Sequence, residues 1–283
     1  MDRGYLVFAA DDLGRTRSVN SAIMEAFDHG LLTAAGLMAG GEAFGDAVKS
    51  LRQRRGLAVG LHITLCDGMS VLSNADIPDL TCPQGHLSGS AAATWIKLYR
   101  KPVLDQAEKE IEAQFNCLEG EGINPVYVDG HHHIHMHPSL FRAVCRIASR
   151  RGVRWIRITN EPFRAVCSRG SGSRGLMPYI EWAVFRLLRK GNINAAERHG
   201  LSYARQVFGL SGTGHLDEEY ILKLLELTEL SDTSQVDEIF GHPDLSSERG
   251  MRELAAFKSK KIASRLDSLG IKRIGYKAGM KGK

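Results

Sequence analysis

No uncharged apolar run in this 283-residue chain approaches the roughly 18–20 residues that a membrane-spanning helix needs. The N-terminus also lacks the basic, apolar and small-residue succession of a secretory signal: the apolar stretch Tyr5–Ala10 is short and runs straight into Asp11 and Asp12. A cytoplasmic location is the expectation that follows. Cysteine is scarce. Cys66, Cys82, Cys117, Cys145 and Cys167 are odd in number, widely spaced and without a CxxC pair, which argues against a disulfide framework and against a zinc ribbon. No basic stripe is interleaved with aromatics and no nucleic-acid-binding motif is present, so a nucleic-acid partner is not expected. Charge of either sign is only mildly unbalanced, at +5 with a pI near 9.0. The excess gathers between Arg150 and Lys190 and in the tail Lys277–Lys283, as a solvated face with a weak attraction for anionic surfaces. Short internal repeats and a clean domain boundary are missing as well.

Histidine, by contrast, is concentrated. Five of the eleven histidines, His131, His132, His133, His135 and His137, fall within seven positions of the stretch VDGHHHIHMHP from Val128 to Pro138. Neutral imidazole is the commonest protein ligand for a transition metal, so such a cluster reads first as a metal site. A His-rich tract can also be a tag or an incidental surface loop. This one is internal, with an apolar run (Val126, Tyr127, Val128) before it and an amphipathic segment after it. That context is a strand entering a loop, then a helix starting near Pro138.

The rest of the chain alternates strand and helix signals. Tyr5–Ala10 (YLVFAA) has the pattern of a strand buried on both faces and ends in Asp11-Asp12-Leu13-Gly14. Ser18 is placed to cap a helix whose apolar face is Val19, Ile23, Ala26 and Phe27, with Gly30 as its stop. Further strands are expected at 31–38, 57–65, 125–129, 153–158, 236–240 and 271–276. Helices are expected at 43–55, 102–120, 139–151, 178–190, 195–199, 217–230 and 247–269. Residues 66–94 carry prolines and glycines without a period and read as a long loop or lid; long ordered loops usually serve function. The stretch 160–175 dissolves into SRGSGSRG, a flexible linker. One domain over 1–283 results, with a lid-like insertion at about 66–101 and a flexible loop at about 160–177. The alternation predicts a parallel sheet of βαβ units, and about seven units suit a barrel better than an open sheet. Asp11, Asp12, His62, His131, Arg157 and His242 all fall at strand C-terminal ends, where α/β barrels and open sheets place their sites.

Adjacent carboxylates at a strand end point to opposite sides, so Asp11 and Asp12 can divide two tasks, one ligating a metal and the other acting as a base. An Asp-Asp pair before glycine taken alone reads more readily as a turn or cap. A divalent site with an open position wants about three protein ligands, and one Asp with two His supplies them. His131 and His135 form a second candidate pair, spaced i, i+4 for a helix.

Four segments together, ADDLG after the first strand, VGLHITL, VDGHHHIHMHP and the late GHPD, resemble the YdjC-like (ChbG-type) carbohydrate deacetylases. The resemblance covers nearly the whole chain, in the same order and at similar spacing. SVLSNADIPDL followed by the Gly85 turn looks more particularly like the hopanoid-associated branch, HpnK. The resemblance implies a distorted (β/α) barrel of the polysaccharide-deacetylase type that hydrolyses an N-acetyl group from an amino sugar. In the hopanoid branch an N-acetylglucosaminyl group on a polycyclic lipid would be the substrate, and homodimers are frequent in the family. It implies one divalent metal ion held by Asp12, His62 and His131, with Asp11 as general base. Leu13 where Phe is usual and Gly130 where Ser is frequent are departures that remove no ligand. An Asp/His₂ set suits Zn²⁺, Co²⁺, Mn²⁺ and, with waters, Mg²⁺.

On that reading a water of lowered pKa attacks the amide while Asp11 accepts its proton. His242, with Asp244 nearby, is the candidate general acid, or else a turn histidine before proline. Arg157 orients the substrate or Asp11, or lies on the surface. His133 and His135 line the pocket or hold outer bonds, and strand alternation turns His132 away from His131. The segment EWAVFRLLRK, Glu181–Lys190, reads as a core-packed barrel helix or as a peripheral contact with the anionic inner-membrane surface. Three readings compete. A metal-dependent phosphoesterase wants two metals about 3.5–4 Å apart and more carboxylate ligands. A non-haem iron oxygenase shares the two-His, one-carboxylate set. A non-catalytic sugar- or metal-binding protein would not need Asp11.

Overall fold

The computed structural model describes residues 4–167, 176–212, 215–227 and 235–276, and its first strand is the hub. β1 (Gly4–Leu13) pairs with β2 (Ala34–Leu37) at its C-terminal half, with β7 (Val236–Gly241) along Tyr5–Ala10, and with β8 (Ile271–Arg273) at its start. Beyond β2 follow β3 (Ala58–Ile63), β4 (Tyr127–Gly130) and β5 (Trp155–Ile156), and beyond β7 lies β6 (Val207–Phe208). Every pairing is parallel. The two outer edges meet: Trp155 bridges to Ser202, and Val207 N donates to Asn160 O at 3.2 Å. The sheet therefore curls into the expected distorted (β/α) barrel. Among the described residues it has eight strands rather than about seven, because the two-residue β6 is too short to show a period.

The continuous apolar run of β1 reflects burial on both faces. Leu6, Phe8 and Ala10 pack outward under the helices, while Val7 and Ala9 point inward to a smaller cluster with Tyr127, Trp155, Val207, Phe240 and Tyr276. Around the sheet lie α1 (Arg17–His29), α2 (Phe44–Leu51), α3 (Ala91–Lys97), α4 (Lys101–Gly120), α5 (Pro138–Arg150), α6 (Phe163–Cys167), α7 (Met177–Arg198), α8 (Glu218–Leu227), α9 (Glu248–Phe257) and α10 (Lys260–Leu269).

Several expectations change in detail. Thr16, not Ser18, caps α1: its Oγ1 accepts from Val19 N at 3.2 Å, and the Ser18 hydroxyl bonds Asp244 instead. α7 runs unbroken through Gly191 where two segments were expected. The single helix expected over 247–269 divides at Ser259, whose Oγ accepts from Ile262 N at 3.1 Å and starts α10. α6 lies within the stretch read as linker; SRGSGSRG itself, the end of the 217–230 helix and the basic tail lie outside the described residues. Residues 66–100 are tied down by Ile77, Leu80 and Leu87, all buried, and by Glu110 of α4, which accepts from Val71 N at 2.8 Å and Leu72 N at 3.0 Å.

Candidate metal centre and active site

The site begins at a break in the β1 register. Pairing with β2 runs Ala9–Ala34 and Ala10–Ala35, then jumps to Leu13–Leu37, so Asp11 and Asp12 occupy a bulge. Asp12 takes a φ of 67°, a left-handed conformation that costs a non-glycine residue about 1–3 kcal/mol. Strand alternation alone would send the two carboxylates to opposite faces. The bulge turns both, nearly fully buried, toward His62.

His131 is the first residue beyond β4, not a strand residue. It opens an irregular turn, His131–Met136, in which His132 and His133 have φ of 50° and 53°. His132 therefore stays beside His131, with ring centroids 4.2 Å apart, rather than on the far face. Among the described residues, all four non-glycine residues with positive φ, Asp12, Asp67, His132 and His133, lie at this site.

Asp12 Oδ1 is 2.8 Å from His131 Nδ1 and 3.2 Å from His62 Nε2. Asp12 Oδ1 and His62 Nε2 are both buried and lie within hydrogen-bond distance, but not at hydrogen-bond angles. An unsatisfied buried polar atom costs roughly 1–3 kcal/mol, so two that converge with a third ligand-type atom have the arrangement of an ion cage. The outer imidazole nitrogens are held by carboxylates: His62 Nδ1 meets Asp129 Oδ1 at 2.8 Å and His131 Nε2 meets Asp67 Oδ2 at 3.4 Å. Such pairs fix the tautomer of metal-binding histidines. Charge points the same way. Buried Asp11, Asp129 and Glu238 surround Arg157, the one buried arginine among the described residues, and buried Asp12 lies beyond it, so a divalent cation would offset carboxylate charge that Arg157 does not reach. Burial opposes charge on His62, but Asp129, Asp12 and Asp11 overcome it and push the imidazole up to about 10. Burial likewise opposes charge on Asp12, yet its contacts with His131 and His62 hold the carboxyl well below the usual range. The residues fit a divalent ion.

Arg157 spends itself on carboxylates. Nη1 and Nη2 donate to Asp11 Oδ2 and Oδ1 at 2.7 and 2.8 Å, and Nε donates to Glu238 Oε1 at 2.8 Å. Nη1 also lies 2.8 Å from Asp129 Oδ2, and Nη2 lies 2.6 Å from Glu238 Oε1. Buried and ringed by these three carboxylates, the Arg157 guanidinium positions Asp11 rather than reaching for a substrate. Burial raises the Asp11 carboxyl, but Arg157, then His62 and His242, hold it well below the ordinary range.

His242 follows β7, with Nε2 3.9 Å from Asp11 Oδ2 and Nδ1 4.0 Å from Glu253 Oε2. Asp244, its expected partner, turns away to accept from Ser18 Oγ at 2.6 Å and Ser246 N at 2.9 Å. Glu253 of α9 stands in that place. His133 packs its ring 5.2 Å from Phe240 and 5.7 Å from Phe185, and burial holds it neutral, well below its usual pKa. His135 is fully buried, and its Nε2–H donates to Arg157 O at 3.0 Å. It anchors the turn beneath Arg157 instead of lining a pocket, and it joins none of the metal-holding groups found among the described residues. Arg15 completes the outer rim, donating to Asp12 Oδ2 at 3.1 Å and Asp67 Oδ2 at 2.8 Å. A cleft of about 390 Å³ opens here, walled by Asp11, Asp12, Arg15, His242, Ser247 and Arg249. Arg15, Asp67, Glu238 and Glu253 carried no motif; Asp129 lay inside one, unmarked.

A carbohydrate deacetylase of Geobacillus stearothermophilus is 34% identical over 146 residues, covering 52% of this chain and 56% of its own. A chitooligosaccharide deacetylase of Enterobacter sp. (strain 638) is 35% identical over 157 residues, covering 54% and 58%. The chain thus spans little more than half the length of these curated relatives. Among solved structures, a protein of Enterococcus faecalis V583 described as a candidate for cellobiose-phosphate cleavage superposes with a TM-score of 0.74 at 20% identity, over 96% of this chain and 97% of its own. An uncharacterized protein of Agrobacterium tumefaciens C58 superposes at 0.51 and 15% identity, over 96% and 87%. These two are likenesses of fold. The profile of the YdjC-like protein family matches residues 5–268, from β1 into α10, and the chain belongs to that family.

Proposed function

We propose that the protein hydrolyses the N-acetyl group of an N-acetylglucosamine-type amino sugar with the help of one divalent metal ion. What carries this is the convergence of the buried ligand-type atoms of Asp12, His62 and His131, beside Asp11 and His242. Asp12, His62 and His131 would hold the ion, which when bound supplies a Lewis acid for the amide carbonyl and brings the pKa of a water towards about 7. Asp11 accepts the water's proton at Oδ2, the oxygen that faces His242 Nε2 at 3.9 Å. Arg157 keeps Asp11 ionised and fixed, so its low basicity passes the proton on rather than storing it. An amine departs only when protonated, and His242, with Nε2 3.9 Å from Asp11 Oδ2, would deliver that proton.

Arg157 already pairs with Asp11 and Asp129, the carboxylates that a second ion beside Asp12, His62 and His131 would draw on, which favours the one-ion amide hydrolase. The relatives named as carbohydrate and chitooligosaccharide deacetylases support an acetylated sugar. The hopanoid-branch resemblance makes a lipid-borne sugar the finer choice. Acetate release from an N-acetylglucosaminyl lipid and from diacetylchitobiose, with Mg²⁺, Zn²⁺, Co²⁺ or Mn²⁺ added in turn, tests both levels. Metal-dependent release from the lipid is expected, with a fall of roughly 10²–10⁴ in Asp11→Asn. Release from the soluble sugar alone would remove the lipid. Silence on both substrates, with an ion bound, would overturn the deacetylase.

A further inference from the structure

Helix α7 carries more apolar side chains than the barrel buries. Phe185, Ala195 and Ala196 are buried, and the Phe185 ring lies 5.7 Å from His133 and 6.3 Å from Trp95 of α3. On its outer face Leu176, Met177, Ile180, Val184 and Leu187 are 77%, 64%, 53%, 41% and 82% exposed. Spacings of three and four residues keep them on one stripe. Phe163, also exposed, stacks beside Tyr179 and Trp182 at the start of the helix, with centroids at 6.3 and 4.9 Å. Ile96 and Tyr99 stand exposed at α3, which reaches α7 through the Trp95–Phe185 contact. Of the twelve large hydrophobic side chains exposed among the described residues, nine belong to α3, α6, α7 or their immediate ends. Scattered exposed hydrophobics need no explanation, whereas a concentration of this kind marks a binding surface.

Charge identifies the occupant. Exposed Arg186 and Lys190 run along one side of the stripe a turn apart, and Glu181, on its other side, is the only acid between residues 176 and 190. The preceding residues 168–175, SRGSGSRG, add Arg169 and Arg174 and contain no hydrophobic side chain that could cover the stripe. A second copy is a poorer fit, because a two-fold pairing of this face would offer one Glu181 per copy to the partner's Arg186 and Lys190 and leave cations unpaired. An enclosing protein groove is a poor fit as well, since the inner half of α7 is already packed on the barrel and only a half-cylinder remains. A flat surface that is apolar below and negative above matches both features.

We propose that the outer face of α7 docks on an anionic phospholipid bilayer, its stripe entering the boundary between headgroups and acyl chains and its cations meeting phosphates. This surface is independent of the deacetylase assignment. The test is flotation of the full-length protein with vesicles of phosphatidylcholine and of phosphatidylcholine mixed with phosphatidylglycerol, at low and high salt. The protein floats with the anionic vesicles at low salt, fails to float with the neutral ones, and is released by high salt. Arg186→Gln and Lys190→Gln each lower partitioning about fivefold. Ile180→Glu with Leu187→Glu lowers it roughly tenfold or more while leaving the melting temperature and the folded spectrum unchanged. No flotation on anionic vesicles at low salt overturns the proposal. So does flotation that both charge and apolar substitutions leave intact. Sedimentation showing a dimer that Leu187→Glu dissociates would assign the stripe to a second copy, and overturn it too.

Discussion

His62 and His131 are two imidazoles turned to one carboxylate oxygen, and the protein surrounds them differently. His62 belongs to β3, and its outer nitrogen meets Asp129, which is wholly buried and touches Arg157. His131 stands on the turn after β4, and its outer nitrogen meets Asp67, a residue 56% exposed at the root of the 66–100 segment and shared with Arg15. One arm is set into the ionic core of the barrel; the other is tied to the surface through contacts that water and salt can weaken. The centre is therefore shaped from its buried side, and the exposed side trims it.

The largest way to break this comparison is Asp129→Ala. It strips an acceptor from His62 Nδ1 and from Arg157 Nη1 in a region water does not reach. Breaking a buried ionic network in this way costs about 3–5 kcal/mol. Urea unfolding of the metal-free protein measures it. A loss under about 1 kcal/mol would mean that the buried arm behaves like a surface pair. The gentler Asp129→Asn keeps the volume, and calorimetric titration should then show divalent affinity reduced 10–100-fold.

Protons sharpen the comparison next. Without an ion the buried carboxylates hold His62 protonated at neutral pH, since its pKa rises from 6.5 to about 10. A group raised on folding stabilises fully below its unfolded pKa, and that stabilisation disappears as pH climbs through the folded one. The metal-free protein should therefore lose stability between pH 6.5 and about 10 from this residue. An ion replaces the proton, so the gain in melting temperature on adding Zn²⁺ should grow over the same window. Titrations at pH 7 in buffers of different ionisation enthalpy should report proton release. A metal-induced gain that stays constant across the window would show that the buried arm holds no proton.

How much of this could be seen in the chain follows the same division between local and distant causes. The strands β1, β3, β4 and β7 are apolar runs legible in isolation, and the histidine cluster announces itself by residue type. The partner of each group does not. His62 faces Asp129 because β3 and β4 pair in a register that makes them cross-strand neighbours, 67 residues apart. Arg157 finds Glu238 across 81 residues, and the His242 neighbour Glu253 sits on a helix where it looks like an ordinary polar position. Local rules also failed where a local exception intervened. Alternation assigned Asp11 and Asp12 to opposite faces, but alternation holds only along an unbroken ladder, and these two form the bulge. The helices expected at 178–190 and 195–199 are one through Gly191, since one glycine costs only about 1 kcal/mol, less than the barrel gains by burying Ala195 and Ala196 on the same helix.

The smallest effect belongs to the exposed arm, and its smallness is informative. Asp67→Asn removes the charge that His131 Nε2 and Arg15 share, but the amide oxygen can still accept from the imidazole, and Arg15 keeps Asp12 Oδ2 at 3.1 Å. Stability should change by no more than about 1 kcal/mol, because the lost pair is solvated on both sides. Divalent affinity should fall by less than about tenfold, below the range expected when a buried outer carboxylate is neutralised. The deficit should shrink further as ionic strength rises, since salt already screens the wild-type pair. Titrating Zn²⁺ into Asp67→Asn and Asp129→Asn at two salt concentrations puts the two arms on one scale. If the Asp67 variant loses as much as the Asp129 variant, and loses it at high salt too, then His131 is held as rigidly from the surface as His62 is from the core.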